Sequence, residues 1–270
     1  MVGVQFNGRL GNQIFQYAFY QYLKTNNKRI FFFFSNPTDS YLTKYFDIDR
    51  TEDYCLTYKA LFIVPKILNK ILASRQIYIQ NIQIPKPVSV RNWTIYKGFF
   101  QTDWYVKNIV GEFGLKIKQE YQQKFDEKFG EVFKLNKTIA VHIRRTDYLK
   151  YGKRDISLPI AYFKSRLDAL QNIDDYKIFF VSDDIAYVSS YFGKNANYIF
   201  SENDEITDFQ IIKAADISII SNSSFAWWAC YLSANKRKIT YAPKNWLGFR
   251  IGKEHPKKVM TDRFIWCDVQ

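Results

Sequence analysis

The sequence predicts an α/β protein built on a doubly wound parallel sheet, and three observations carry that prediction. Residues 138–242 alternate short apolar runs with helical patterns. Runs such as Ile178-Phe179-Phe180-Val181 and Ile217-Ser218-Ile219-Ile220 are almost wholly apolar, as strands covered by helices on both faces are. The amino end opens in the same way, with a strand, a glycine loop, a helix and a second strand.

In chain order, strand Val2–Phe6 runs into Gly8-Arg9-Leu10-Gly11-Asn12-Gln13, followed by a helix to about Lys24 and strand Arg29–Phe34. The middle is less regular. It holds an apolar helix near Pro65–Ala73, strands near Ile77–Ile84 and Trp93–Phe100, and a helical region near Lys118–Phe133. Strand Thr138–Ile143 comes next. A helix from Pro159 places Ile160, Phe163, Leu167 and Leu170 at helical spacing, and proline suits a first helical turn. Strand Lys177–Ser182, helix Asp184–Phe192, strand Asn197–Phe200 and a helix near Thr207–Ala215 follow. The series closes with strand Ile217–Ser221, helix Ser224–Leu232 and strand Lys238–Ala242. A boundary near residues 130–138 divides the chain into domains 1–135 and 136–270.

Bulk properties narrow the field. The chain has 270 residues, 47% of them hydrophobic, which is enough for a sizeable core. No apolar run approaches the ~18 residues of a membrane span. The amino terminus lacks a signal-peptide pattern, and Cys55, Cys230 and Cys267 give neither a disulfide framework nor zinc-site spacing. These features predict a cytoplasmic protein. The net charge of +13 favours acidic partners such as nucleotide phosphates, nucleic acid or anionic lipid, against the plainer reading of a solvated lysine-rich surface. A helix around Ile67-Leu68-Ile71-Leu72 with Lys66, Lys70 and Arg75 admits a peripheral membrane contact, or ordinary packing on a core.

The richest segment is Val141-His142-Ile143-Arg144-Arg145-Thr146-Asp147-Tyr148 at the end of a predicted strand. Alternation places His142 and Arg144 on one face. Ligands of parallel sheets bind beyond the strands' carboxyl ends, and guanidinium groups bind phosphate oxygens in pairs. His142 is either a satisfied histidine near the core or a nucleotide contact. Gly8–Gln13 is a tight turn, or a loop and helix start that cradle an anion. In Ser221-Asn222-Ser223-Ser224-Phe225 the hydroxyls cap a helix or join its N–H groups around a phosphate. Asp184 suits a helix cap, whereas Asp183 suits either a cap or the N–H groups of a ligand. Asp47-Ile48-Asp49 has the form of a metal-binding DxD, a pattern frequent by chance. His255 lies in a basic, solvated tail.

Two α/β halves with a cleft between them match the glycosyltransferase architecture called GT-B. Three motifs then converge. Gly8 to Ala18, the His142-Ile143-Arg144-Arg145-Thr146-Asp147 run, and Ser221 to Trp228 resemble, in order and spacing, those of glycosyltransferase family 11, the α-1,2-fucosyltransferases. Arg9 stands where many bacterial members have another glycine. The resemblance implies two Rossmann-like domains facing a cleft, GDP-β-L-fucose as donor, and inversion without an obligatory metal or other cofactor. It also implies fucose transfer to the 2-hydroxyl of an acceptor, expected to be galactose in a surface glycan. It assigns the donor pyrophosphate to Arg144, supported by Arg145, with His142 near the nucleotide and Asp183 on the guanine. Gly11, Asn12, Gln13, Ser223, Ser224 and Phe225 complete the expected substrate-binding set. Asp147 is the candidate base, against an arginine-orienting role and against the departing phosphate as base, and Asp103 is a further candidate. Another GDP-sugar or acceptor hydroxyl is the alternative within the class. A non-catalytic basic glycan- or nucleic-acid-binding protein is the alternative outside it, and arginines clustered at a strand end argue against nucleic acid.

Overall fold

The computed structural model describes residues 2–34, 40–48 and 75–269. The expected helix near Pro65–Ala73, Asp49 and Cys55 lie outside the described residues. The chain forms two compact units, Met1–Lys118 with His255–Val259, and Gln119–Glu254 with Met260–Gln270.

In the first unit, β1 (Val2–Gln5), α1 (Leu10–Thr25), β2 (Phe31–Phe34), α2 (Tyr41–Tyr45), β3 (Phe46–Asp47), β4 (Gln76–Tyr78), β5 (Thr94–Lys97), α3 (Trp104–Lys107) and β6 (Lys116–Ile117) follow in order. A four-stranded parallel sheet has the order β2-β1-β5-β4, and β3 pairs antiparallel with β6. Helix α1 buries Leu10, Ile14, Phe15, Phe19 and Leu23. The core is mainly aromatic. Phe19 stacks on Phe100 at 3.8 Å between ring centroids and meets Tyr105 edge-on at 4.9 Å. Strand β4 is shorter than the expected Ile77–Ile84. A turn bonding Gln83 N–H to the Gln80 carbonyl interrupts it, and Pro85 and Pro87 have no N–H to continue a ladder.

The second unit contains α4 (Gln119–Phe125), joined through a π-helical turn at Asp126–Gly130 to α5 (Glu131–Leu135), then β7 (Lys137–Ile143) and α6 (Ile160–Asp168). β8 (Tyr176–Ser182), α7 (Ile185–Phe192), β9 (Tyr198–Phe200), α8 (Glu205–Ala214), β10 (Ile217–Ile220), α9 (Ser224–Tyr231), β11 (Ile239–Pro243) and β12 (Ile265–Cys267) complete it. Its six strands are parallel, in the order β12-β11-β10-β7-β8-β9. One face of β7 and β8, carrying Ile139, Val141, Ile143, Ile178 and Phe180, packs on Tyr162, Phe163, Leu167 and Val188. On the other face Phe179 meets Phe133 at 5.0 Å and Phe129 at 5.8 Å.

Those last contacts explain why the units divide after Lys118, earlier than the boundary expected at 135/136. The helical segment 119–135 is the cover of the second sheet, and the Gln210 side chain also bonds the Tyr121 carbonyl at 3.0 Å. Strand β12 was not foreseen, because three residues are too short for a periodic signal.

Strand order fixes where a site can form. From β7 the chain winds outward through β8 and β9, then returns to β10 on the opposite side of β7 and winds on to β11 and β12. The direction of winding therefore reverses between β7 and β10. At such a switch point the connections diverge and open a crevice at the strands' carboxyl ends.

Candidate active site

Three neighbouring strands deliver the residues of this crevice. Ladder pairing sets Ile220 of β10 opposite His142 of β7, and Ile143 opposite Ser182 of β8. The residues that follow, Ser221–Ser224, Arg144–Asp147 and Asp183–Asp184, therefore emerge side by side, about 4.8 Å apart from strand to strand.

His142 is buried, and its Nδ1 lies 2.8 Å from Ser221 Oγ. The same Oγ accepts the Arg144 backbone N–H at 3.2 Å, so the hydroxyl proton is best directed at Nδ1, which places the ring proton on Nε2. Burial, reinforced by the Arg144 charge, pushes the imidazole pKa down to about 3. The ring is neutral across the physiological range. Its face lies 5.9 Å from the Phe225 ring at the start of α9. Arg144 shares Ser221 with His142 through its backbone, while its side chain turns elsewhere.

Arg144 Nε and Nη2 donate to Asp147 Oδ1 and Oδ2, both at 2.8 Å, and Nε also lies 3.3 Å from Asp183 Oδ2. Arg145 donates from Nε to Asp184 Oδ2 at 3.0 Å and stacks 3.5 Å above the Tyr187 ring. Both guanidiniums are thus held in fixed positions through Nε or one Nη group. Among the described residues nothing takes a hydrogen bond from Nη1 of Arg144 or from either Nη of Arg145.

Asp183 accepts the Arg145 N–H at 2.8 Å, the Thr146 N–H at 3.2 Å and the Thr146 hydroxyl. Both of its oxygens hold the 144–146 turn. Asp184 caps α7, accepting the Tyr187 N–H at 3.4 Å. The segment after Asp147 is clamped to the next strand end, because Tyr148 Oη donates to the Asn222 carbonyl at 3.2 Å and the Asn222 amide donates to the Ile156 carbonyl at 2.9 Å.

At α9, Ser223 occupies the cap position but its hydroxyl makes no capping bond. The first-turn N–H groups have no intrahelical partner, and the helix dipole leaves them partly positive. Ser224 and Phe225 are half-buried at this end. Two guanidiniums, a neutral imidazole and a bare helix start form a site for a polyanion.

The first unit holds Gly8, Gly11, Asn12 and Gln13. Gly8 has φ +79°, and a Cβ there would fall 2.8 Å from Asn12 Nδ2, so the turn requires glycine. Gln13 is 1% exposed. Its Nε2 donates to the Gly8 carbonyl at 3.0 Å and its Oε1 accepts the Leu42 N–H at 3.0 Å. Through these two bonds Gln13 braces the loop from inside. Gly11 is buried in the first turn of α1. Asn12 is half-buried, with Oδ1 accepting from Gln101 at 2.9 Å. Asp103 is buried and paired with Lys107 at 2.8 Å, a poor setting for a base.

Sequence reasoning missed Tyr187, whose place under Arg145 depends on the docking of α7, and Asp208. Asp208 lies in the first turn of α8, accepts the Ser201 hydroxyl just past β9, and is pushed up to about 7 by burial. Its neighbour Phe209 packs on Phe225 at 5.3 Å, so this turn adjoins the head of α9. Buried carboxyls carry no mark in sequence. Among the described residues no three His, Cys, Asp or Glu side chains cluster as metal ligands, and no helix is long and apolar enough to cross a membrane.

Two Rossmann-like α/β units, one with paired arginines at its switch point, have the architecture of the GT-B glycosyltransferases. The chain belongs to glycosyl transferase family 11, whose model matches residues 1–259. It is 27% identical over 283 residues to an alpha-1,2-colitosyltransferase of Escherichia coli, covering 88% of this chain and 90% of that protein. Its fold is like that of the fucosyltransferase NodZ from Bradyrhizobium, with TM-score 0.52, 14% identity and coverage of 85% and 93%. It is also like POFUT1 in complex with GDP-fucose, with TM-score 0.52, 11% identity and coverage of 89% and 97%. As a family 11 glycosyltransferase it is an enzyme, and the non-catalytic alternative falls.

Proposed function

We propose that the enzyme transfers L-fucose, with inversion, from GDP-β-L-fucose to the 2-hydroxyl of a galactoside acceptor in a surface glycan, and needs no metal. The observation that carries this reading is the pair Arg144 and Arg145, fixed beside the bare start of α9 at the switch point. Departure of GDP builds negative charge on the β-phosphate. Prepositioned cations and N–H dipoles stabilise that charge more than they stabilise the bound donor. Neutral His142 adds an N–H donor without repelling the arginines.

Asp147 is a positioning residue in this account. Both of its oxygens accept from the Arg144 guanidinium, so it is placed to orient that arginine rather than to meet an acceptor hydroxyl. Breaking of the sugar–phosphate bond runs ahead of attack, the acceptor oxygen bonds to the anomeric carbon on the face opposite the departing GDP, and the acidic proton of the resulting oxonium is lost to solvent water. With Asp183 spent on the turn, Asp208 is the carboxyl suited to the N–H edge of guanine.

The colitosyltransferase relative favours a second reading, in which the donor carries colitose. Incubation with each GDP-sugar and a galactoside in chelator, with linkage analysis of the product, separates the two. GDP binding without turnover of either donor would leave the transfer reading without support.

A further inference from the structure

The first unit contains a cavity of about 520 Å³, within the ~300–1,000 Å³ range of small-ligand sites. The irregular segment 79–91 forms most of its wall, and β5, residues 100–105 and Lys257 complete it. Lys86, Arg91 and Lys257 line it, and among the described residues no Asp or Glu does. Gln83 and Gln101 offer amides, and the exposed ring of Tyr78 offers a flat apolar face. Rings and amides of this kind suit sugar C–H faces and hydroxyls.

Three cations, with no acid among the described lining residues, favour an anionic ligand. Lys257 is delivered on purpose by the chain path: residues 255–259 return from the second unit, and the Lys257 N–H bonds the Asn81 carbonyl at 2.9 Å. The cavity also adjoins the glycine loop, because Gln101 bonds Asn12. We infer that this cavity binds a saccharide bearing an anionic group, carboxylate or phosphate, and that the acceptor is an acidic glycan. The acceptor half of this statement rests on the proposed transfer.

The test is calorimetric titration of the whole protein, with saturating GDP to occupy the arginine site. Three disaccharides share one neutral core: one unmodified, one carrying a uronic carboxylate, one carrying a phosphate. An anionic sugar should bind about tenfold tighter than the neutral one or better, as charge-assisted hydrogen bonds imply, and the arm that wins names the anion. The preference should disappear in the variant K86Q/R91Q/K257Q, whose GDP affinity stays unchanged and reports an intact fold. Equal binding of neutral and anionic sugars, or a preference that survives the triple substitution, overturns the inference. A preference without transfer from any GDP-sugar would instead count against the proposed function alone.

Discussion

Arg144 and Asp147 form a two-point fork, Nε to Oδ1 and Nη2 to Oδ2, each at 2.8 Å. The aspartate side chain is 45% exposed and the arginine 18%. One ion pair so open to solvent contributes little to stability. Its effect is geometric, since it fixes the plane of the guanidinium and the direction of its remaining N–H groups.

Asp147→Asn is therefore expected to loosen Arg144 and raise the donor KM, with a loss in kcat of less than about tenfold. A true general base would cost about 10²–10⁴ in kcat and take with it the acid limb of the pH–rate profile. Steady-state kinetics from pH 5 to 8 distinguish these outcomes.

Ser221 satisfies both His142 and the Arg144 backbone, so Ser221→Ala leaves two groups without a partner at a buried position. The expected cost is about 1–3 kcal/mol of stability. Turnover should fall as well, because the imidazole loses its fixed tautomer. Thermal melts and kcat check the two effects separately.

His142 itself predicts a pH dependence. Its folded pKa of about 3 lies below its unfolded value, so the unfolded chain takes up the proton first. The resulting stability is complete above about pH 6.5 and drains away as pH falls toward 3. No step in turnover between pH 5 and 8 should trace to this imidazole, and a His142 NMR titration would show one if it did.

Asp208 acts in the opposite direction. Its folded pKa of about 7 lies above the unfolded range, so the folded chain holds the proton more tightly. Stability is present below about pH 4 and lost as pH rises through 7. Asp208→Asn should remove the decline between pH 5 and 8 in thermal melts. If Asp208 also reads guanine, the variant should lose its preference for GDP over ADP in competition assays.

The second unit was legible because its strands are buried on both faces. β7, β8 and β10 each centre on an apolar, buried run, and each predicted strand falls within two residues of the observed one. The strand-end cluster followed from that, since parallel ladders align carboxyl ends. Its wiring did not follow. That Asp183 would turn back onto Thr146, or that Gln13 would vanish into its own loop, depends on rotamers that no spacing encodes. Segment 79–91 was the least legible, because its course is set by two prolines and by Lys257, distant in sequence.

The central claim, that Arg144 and Arg145 hold a nucleoside diphosphate without a cation, is tested most directly by calorimetric titration of GDP in excess chelator. The account predicts binding to the wild-type protein, and a loss of at least about 10² in affinity for Arg144→Ala with an unchanged circular dichroism spectrum. Binding that needs a divalent cation, or an Arg144→Ala protein that binds GDP as the wild type does, would contradict it.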